Sequence, residues 1–231
     1  MTDSTTHGER TPRPELGPLR PERIIFREGT SDVDIYWLLT SLVVPRPIAW
    51  VGTCSADGVG NLAPHSFFNV ACGRPPIVMF SSTGLKDTVR NVGQTREFVV
   101  NVVSEQLTDL VNDSSAPFPP SVDEAEHLGI ALEPSELVAI PRVTDSPASI
   151  ECRLHSLIEV GEATLVLGHV VAITVHADVL TRDQRPDIGR LRPMSRLGGS
   201  EWGLPPSPIV VKRPMDSLDV ARRSGGSRGR P

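Results

Sequence analysis

Residues 81–88 (SSTGLKDT) begin with three successive hydroxyl side chains and continue with a glycine and a lysine. A helix is predicted to begin at Lys86, and the first N–H groups of a helix lack intrahelical acceptors and favour an anion. Hydroxyl groups, a close backbone approach at Gly84 and one ammonium group suit a phosphate monoester. The segment is therefore either a phosphate-binding loop or an ordinary capped helix start. Its spacing differs from that of a Walker A loop.

Residues 61–69 (NLAPHSFFN) form a second candidate binding element. Ala63 and Pro64 are small and stiff, so a flat ring could lie against the backbone there, with N–H and C=O groups pairing its polar edge. Ser66 and Asn69 could add side-chain contacts. The alternative is a strand with a bulge at Pro64. Trp50, in the preceding strand-like run, either stacks near such a ring or fills the core.

The glycines at positions 58 and 60 match part of a dinucleotide-binding pattern, but their context argues against it. Residues 58–63 read GVGNLA, which fits G-x-G-x-x-A. That fingerprint requires a helix that begins among the glycines. Here Pro64 follows at once, and a β-type run comes next. Asp57-Gly58 is also a turn signal, so a β-hairpin turn is the favoured interpretation.

The histidines and cysteines form no recognisable metal or catalytic pattern. His169 and His176 differ in strand parity and are predicted to point to opposite faces of a strand. His65 alone lies in a suggestive context and is a candidate for contact with ligand or substrate, but no catalytic residue is assigned. The G-x-S-x-G match at residues 225–229 lies in the predicted flexible tail, so no nucleophile elbow between a strand and a helix is predicted. Its three cysteines lack C-x-x-C spacing, which suits a reducing cytoplasm better than a disulfide framework.

Composition and charge favour one domain between two flexible ends. With 231 residues, the chain is long enough for one sizeable core. Its formal charge of -5 argues against a general nucleic-acid binder, and no apolar run is long enough to span a membrane. We predict a flexible N-terminal arm over residues 1–21, one domain over 22–212 and a flexible basic tail over 213–231. The expected location is the cytoplasm.

Hydrophobic periodicity predicts a mostly β protein with short helices. Helices are expected over residues 32–41, 86–94 and 104–112, the first capped by Asp32 and presenting Ile35, Leu38, Leu39 and Leu42 on one face. Strands are expected over 48–54, 61–70, 77–81 and 97–103, and residues 149–180 alternate as a long hairpin around Gly161-Glu162. Many short strands with few helices favour a closed or nearly closed antiparallel barrel.

Five segments, taken in order, resemble the flavin reductase-like family, whose fold is the FMN-binding split barrel. They are PRPIAWVGT at 45–53, NLAPHSFFN at 61–69, PPIVMFSS at 75–82, KDT at 86–88 and EFVVN at 97–101. A weaker match is RLGG at 196–199. The resemblance covers residues 22–212 and is carried by the order and spacing of the segments together.

The resemblance implies a homodimer with FMN, or alternatively FAD, near the subunit interface. It places residues 63–66 along the ring system, Thr53 near the ribityl chain or ring edge, and residues 81–88 around the phosphate. Asp87 would orient that loop rather than meet the anion, and Arg196 would close the site from a later loop. The implied flavin-binding set is Trp50, Thr53, Ala63, Pro64, His65, Ser66, Ser81, Ser82, Thr83, Lys86, Asp87, Thr88 and Arg196.

The implied activity is NAD(P)H:flavin reduction, in which hydride passes from nicotinamide C4 to flavin N5 without an obligatory side-chain acid or base. The reduced flavin would then serve oxygen, another acceptor or a partner monooxygenase. Three alternatives stay open at this point. They are a flavoprotein that uses bound FMN on a specialised substrate, a non-catalytic flavin-binding or electron-carrier protein, and a β-barrel binding module without flavin.

Overall fold

The structure is a computed structural model that describes residues 23–29, 33–211 and 213–215. The predicted N-terminal arm, the predicted cap Asp32 and most of the predicted tail lie outside these residues.

The described residues form short helices and mostly short strands. The helices are Ile35–Leu42 (α1), Asp87–Thr95 (α2), Thr108–Asp113 (α3), Glu124–Leu128 (α4) and Ile188–Leu191 (α5), with one-turn 3-10 helices at Glu105–Leu107 and Ala177–Val179. The strands are Arg46–Pro47 (β1), Ala49–Cys54 (β2), Gly60–His65 (β3), Phe68–Gly73 (β4), Pro76–Thr83 (β5), Glu97–Val102 (β6), Leu132–Glu133 (β7), Arg142–Val143 (β8), Ala148–Val160 (β9), Ala163–Val175 (β10), Ser195–Arg196 (β11) and Trp202–Gly203 (β12).

Seven strands form one antiparallel sheet in the order β3-β2-β6-β9-β10-β5-β4. Its two edge strands, β3 and β4, are joined directly through Ser66 and Phe67. The Ser81 N–H of β5 donates to the Phe67 carbonyl at 2.8 Å, so this connection is tied to the far side of the sheet. The sheet is therefore curled until its edges approach each other, which confirms the prediction of a mostly β, antiparallel, nearly closed barrel.

Alternation along β2 separates two apolar clusters. Ala49 and Val51 point into the barrel, where they pack in one cluster with Phe80 and with valines of α2. Trp50 points the other way, into a second cluster that includes Val111 of α3. The period-2 pattern of one strand thus fixes which of its residues meet the barrel interior and which meet the helices outside it.

Two predicted hairpins are confirmed. β9 and β10 pair over most of their lengths around Gly161, whose φ of 58° is in the left-handed region. β2 and β3 pair through a turn in which Gly58 has a φ of 88° and the Ser55 N–H donates to the Val59 carbonyl at 2.8 Å. The G-x-G pattern is therefore part of a hairpin turn, as predicted, because only glycine adopts that backbone conformation freely.

The strand predicted over residues 61–70 is wrong in one respect, because it is two strands in the structure. β3 pairs with β2, whereas β4 pairs with β5, so the chain changes neighbours at Ser66 and Phe67. Pro64 lies opposite Trp50 in an uninterrupted register, and the bulge considered at Pro64 is not present. An edge strand has one unpaired side, where the missing N–H of proline costs no ladder bond.

The first helix begins later than predicted and is less buried than its pattern indicates. α1 begins at Ile35, and the Asp34 carboxylate accepts the Tyr36 N–H at 2.8 Å as its cap. Leu39 and Leu42 are 55% and 76% exposed. The helix therefore presents an apolar surface in the single chain.

The remaining predicted elements differ mainly at their ends. The helix predicted over 86–94 is α2, and the strand predicted over 97–103 is β6. The helix predicted over 104–112 is a 3-10 turn followed by α3. The small sheet β1-β11-β12 was not predicted, because two-residue strands carry no periodicity. No helix among residues 23–29, 33–211 and 213–215 is long and apolar enough to cross a membrane.

Candidate functional site

The connection between β5 and α2 has the features of an anion site. Lys86 is the N-cap residue of α2, its side chain makes no capping bond, and it is exposed. Among the described residues, no hydrogen-bond acceptor is seen for the N–H groups of Asp87, Thr88 and Val89. Gly84 has a φ of 72°, which turns the backbone between β5 and α2. The helix start therefore leaves donors free beside an exposed ammonium group.

The Asp87 carboxylate beside this anion position is not free. It forms an ion pair with Arg90, one turn along α2. The pairing offsets a negative charge that would otherwise repel an anion at the helix start. That Asp87 orients the loop stays a prediction.

The two serines at the end of β5 differ in environment. Ser82 is 2% exposed, and its hydroxyl has no hydrogen-bond partner among the described residues. Ser81 is half-buried and lines a hollow with Ser66. Thr83 is exposed at the strand end. A buried hydroxyl without a partner is uncommon in folded proteins, and here it lies within the candidate phosphate loop.

A buried network of hydroxyl and amide groups supports the loop from inside. Asn61 Nδ2 donates to Thr53 Oγ1 at 3.0 Å and to Thr88 Oγ1 at 3.1 Å. Asn91 Nδ2 of α2 donates to Thr53 Oγ1 at 3.2 Å. Thr53 and Thr88 are 2% and 1% exposed, so their hydroxyls connect β2, β3 and α2 to one another. The structure brings these predicted residues together, but it does not leave them facing outward.

Sequence reasoning missed the two asparagines of this network. Asn61 and Asn91 are 9% and 3% exposed. The only available signal was an amide at an inward position of a predicted strand and another on the inward face of a predicted helix. Such residues are buried only when they are hydrogen-bonded, and their partners are distant in sequence.

His65 lies at the end of β3, enclosed beneath the same loop. It is 7% exposed, its Nε2 is 3.3 Å from Thr88 Oγ1, and its ring packs 4.7 Å from that of Phe80. Burial, and secondarily the charge of Lys86, lowers the pKa of His65 to about 4. The imidazole is therefore neutral near pH 7.

The 63–66 segment borders a hollow of about 220 Å³. Pro64 and Ser66 lie on one side, and Arg196 and Trp202 of the small sheet lie on the other. The Arg196 guanidinium lies 5.0 Å over the Trp202 ring and donates to the Gly199 carbonyl at 2.7 Å. Arg196 thus lies opposite the predicted ring-binding segment, on a later part of the chain, and Trp202 supplies the aromatic surface.

A second hollow, of about 390 Å³, adjoins the first at Ser66. Its walls are mainly apolar and include Leu39, Phe67 and Leu165, and Ser81 lies at its edge. Ser66 lines both hollows, and we refer to the two together as the groove. Of residues 81–88, Ser81 lines it.

Arg46 lies at the border of the groove, and sequence reasoning also missed it. Its guanidinium donates to the Thr40 carbonyl, to the Val43 carbonyl at 3.3 Å and to the Leu197 carbonyl at 2.8 Å. It also lies 5.8 Å from the centroid of the Phe67 ring. Burial, and secondarily the charge of Arg196, lowers the pKa of Arg46. These bonds join the end of α1 and the β11–β12 turn to the groove.

The structure does not support Trp50 as a ring-stacking residue. Its side chain is 0% exposed, and its Nε1 donates to Ser114 Oγ at 2.9 Å within the second core cluster. A ring that is enclosed on all sides offers no face to a ligand. Of the two alternatives for Trp50, the structure favours the core role.

The fold and the site together define a class of protein. It is an antiparallel β-barrel protein that has free N–H groups at a helix start and a groove lined by an edge strand. The family model described as "Flavin reductase like domain" matches residues 41–188. The chain belongs to this family, which confirms the resemblance drawn from the sequence.

Relatives and solved structures agree with this assignment. An uncharacterized protein from Aquifex aeolicus is 41% identical over 183 residues, covering 77% of this chain and 93% of that protein. Nitrilotriacetate monooxygenase component B from Bacillus cereus has a TM-score of 0.79 at 29% identity, covering 83% of this chain and 99% of that chain. The 2-nitrobenzoate 2-nitroreductase NbaA from Pseudomonas fluorescens has a TM-score of 0.77 at 31% identity, covering 84% and 97%. The split-barrel fold predicted from the sequence is confirmed.

Proposed function

We propose that the protein is an FMN-dependent oxidoreductase of the NAD(P)H:flavin reductase type. The observation that carries the proposal is the uncapped start of α2, with Lys86 exposed beside it, which follows a strand whose Ser81 lines the same hollow as Ser66. Membership of the flavin reductase family supports a flavin as the ring compound. FMN fits because its single phosphate monoester matches a site with one lysine and free helix N–H donors. FAD is the alternative cofactor.

The residues present divide the work of holding FMN. Lys86 and the first N–H groups of α2 would neutralise the phosphate, and the hydroxyls of Ser81, Ser82 and Thr83 would take its oxygens or those of the ribityl chain. The backbone of residues 63–66 would lie along the ring system. Arg196 would face the ring from the small sheet. Thr53, Asp87, Thr88 and His65 would act indirectly, since their polar groups are bonded within the protein.

When bound, the flavin supplies hydride acceptance at N5 from nicotinamide C4. The protein's own contribution is to orient the two rings in the groove and to place backbone N–H groups of the 63–66 segment near the polar ring edge. His65 is neutral near pH 7 and enclosed, so it is not placed as a proton donor to the ring. No side-chain acid or base is assigned to the reaction.

A second copy of the chain is proposed to pack against the exposed apolar face of α1. Tyr36, Trp37, Leu39 and Leu42 are 56%, 53%, 55% and 76% exposed in the single chain. Leu39 also lines the groove beside Ser66. A homodimer formed here would bring its interface next to the flavin position, as the family resemblance implies. Light scattering of wild type against Leu42→Glu tests it, with a dimer expected only for the wild type.

Release of reduced flavin to a partner monooxygenase is one outcome that the comparisons support. The similar chain from Bacillus cereus is component B of a monooxygenase. The second candidate is a flavoprotein that keeps its FMN and acts on a specialised substrate. It is favoured by the mainly apolar hollow beside the groove, which offers room for an organic molecule next to the ring, and by the similarity to a nitroreductase.

The decisive experiment is a visible spectrum of the purified protein, with FMN titration and anaerobic addition of NADH or NADPH. If NADH or NADPH bleaches the absorbance of bound FMN as fast as the enzyme turns over, the result supports the reductase. Bound FMN that neither nucleotide reduces would leave a carrier and contradict the proposed activity. Failure to bind FMN at all would contradict the flavin site. Reoxidation by one organic compound, but not by oxygen, would select the specialised-substrate enzyme.

A further inference from the structure

His65 is the side chain that joins the proposed ring strand to the proposed phosphate loop. We propose that His65 is a positioning residue that holds the loop in register with β3, so that FMN is preferred over flavins that lack the phosphate. The proposal rests on the proposed flavin site. It concerns how that site selects its cofactor, and it assigns the imidazole no contact with substrate.

The need for such a link follows from the sheet topology. β3 pairs with β2, whereas β5 pairs with β10 and β4, so no ladder connects β3 to the strand that leads into the loop. The backbone tie next to it is the Ser81 N–H to Phe67 carbonyl bond, which lies beyond the end of β3. His65 spans the remaining gap from the last residue of β3.

The contacts of the imidazole reach both ends of the loop. Its Nε2 is 3.3 Å from Thr88 Oγ1, at the start of α2, and its ring contacts Phe80 of β5, the residue that precedes Ser81. Its ring packs against Phe80 at 4.7 Å, which fixes its orientation. One side chain therefore sets the distance between the two points where the loop begins and ends.

The neutral state of the ring suits this role. Thr88 Oγ1 already accepts from Asn61 Nδ2 at 3.1 Å, so the Thr88 hydroxyl can donate its own proton to His65 Nε2 when that nitrogen is unprotonated. A protonated ring would present two donors and would face the charge of Lys86, which already disfavours that form. The link therefore works as a donor-acceptor pair rather than as a charge for the phosphate.

The experiment compares binding of FMN and of riboflavin by flavin fluorescence quenching in wild type, His65→Leu and His65→Gln. The ratio of the two affinities isolates the phosphate. His65→Leu should lower that ratio about tenfold, as expected from losing the hydrogen bond that positions the loop. His65→Gln keeps an amide that can bond Thr88 and should recover part of the ratio.

Leu154→Ala is the matched control, because Leu154 is buried in the barrel cluster and its backbone N–H donates to the Arg96 carbonyl, at the far end of α2 from the loop. It should lower stability but leave the FMN-to-riboflavin ratio unchanged. In a folded His65→Leu protein, an unchanged ratio would overturn the proposal. An equal loss for both flavins would also overturn it, since that result would indicate a direct contact with the ring.

Thr88→Val provides a second test that does not depend on the stability of one variant. If His65 acts through Thr88, the effects of His65→Leu and Thr88→Val on the ratio should not add in the double variant. Full additivity would contradict the link. Turnover at saturating FMN and NADH should change less than FMN affinity, whereas a selective loss of turnover would make His65 catalytic. If wild type binds neither flavin, that result contradicts the proposed function itself. A failure of the His65 proposal alone is therefore distinguishable, because wild type would still bind FMN.

Discussion

Acidification should destabilise this protein through His65, and one substitution can isolate the effect. Burial, reinforced by the charge of Lys86, lowers the pKa of His65 from 6.5 to about 4. Because the folded-state pKa lies below the unfolded value, the unfolded chain takes up this proton first as the pH falls. The stability associated with the neutral ring is therefore present above pH 6.5 and is lost progressively as the pH falls from 6.5 to about 4.

The magnitude follows from the difference between the two pKa values. At about 1.36 kcal/mol for each pH unit, the full effect on the free energy of unfolding is about 3 kcal/mol. About 2 kcal/mol of it should be lost between about pH 7.5 and about pH 5. The ring is only 7% exposed, so solvent should screen little of this difference.

The assay is urea unfolding at the two pH values, followed by far-ultraviolet circular dichroism, with all proteins in the same flavin state. The loss of unfolding free energy on acidification should be about 2 kcal/mol larger for wild type than for His65→Gln. His155→Gln is the control and should behave like wild type, since His155 is exposed. Identical pH dependence in wild type and His65→Gln would refute the argument from burial.

Three further predictions test the site and its limits. Lys86→Ala should weaken FMN by about tenfold or more but riboflavin hardly at all, because it removes a charged partner of the phosphate; equal weakening in titrations of both flavins would count against the loop. Replacing Ser81 and Ser82 together with alanine should reduce the free energy of FMN binding by about 1 kcal/mol for each hydroxyl, and an unchanged calorimetric affinity in the folded variant would rule out their role. Trp50→Phe should lower the free energy of unfolding in urea by about 1–3 kcal/mol, since it leaves Ser114 Oγ without its indole donor, yet it should not alter FMN affinity; weaker binding would return Trp50 to the site.

What the sequence predicts well here is what neighbouring residues determine. The alternation of β9 and β10 and the turn glycines Gly58 and Gly161 depend on periods of two residues and on local backbone conformation. These signals are local, so they need no knowledge of how the strands are arranged.

What it does not predict depends on contacts between distant residues. The bond from His65 to Thr88 joins residues 23 apart, and that from Arg46 to Leu197 joins residues 151 apart. Whether Trp50 faces a ligand or the core is decided by α3, which reaches it with Ser114 at its end. Periodicity predicts that a side chain points inward, but the topology decides which residues it contacts there.

The same reasoning bears on the two interpretations of the loop, an ordinary capped helix start or a phosphate site. In an ordinary start, a side chain near the N-cap satisfies the free N–H groups of the helix. Here the nearby hydroxyls of Thr53 and Thr88 are already engaged with Asn61, and Lys86 makes no capping bond. Among the described residues, Thr53 and Thr88 are thus engaged inside the loop, whereas the first helix N–H groups and the buried Ser82 hydroxyl have no protein acceptors or partners. Because unmet donors at a helix end favour an anion, this distribution favours the phosphate site.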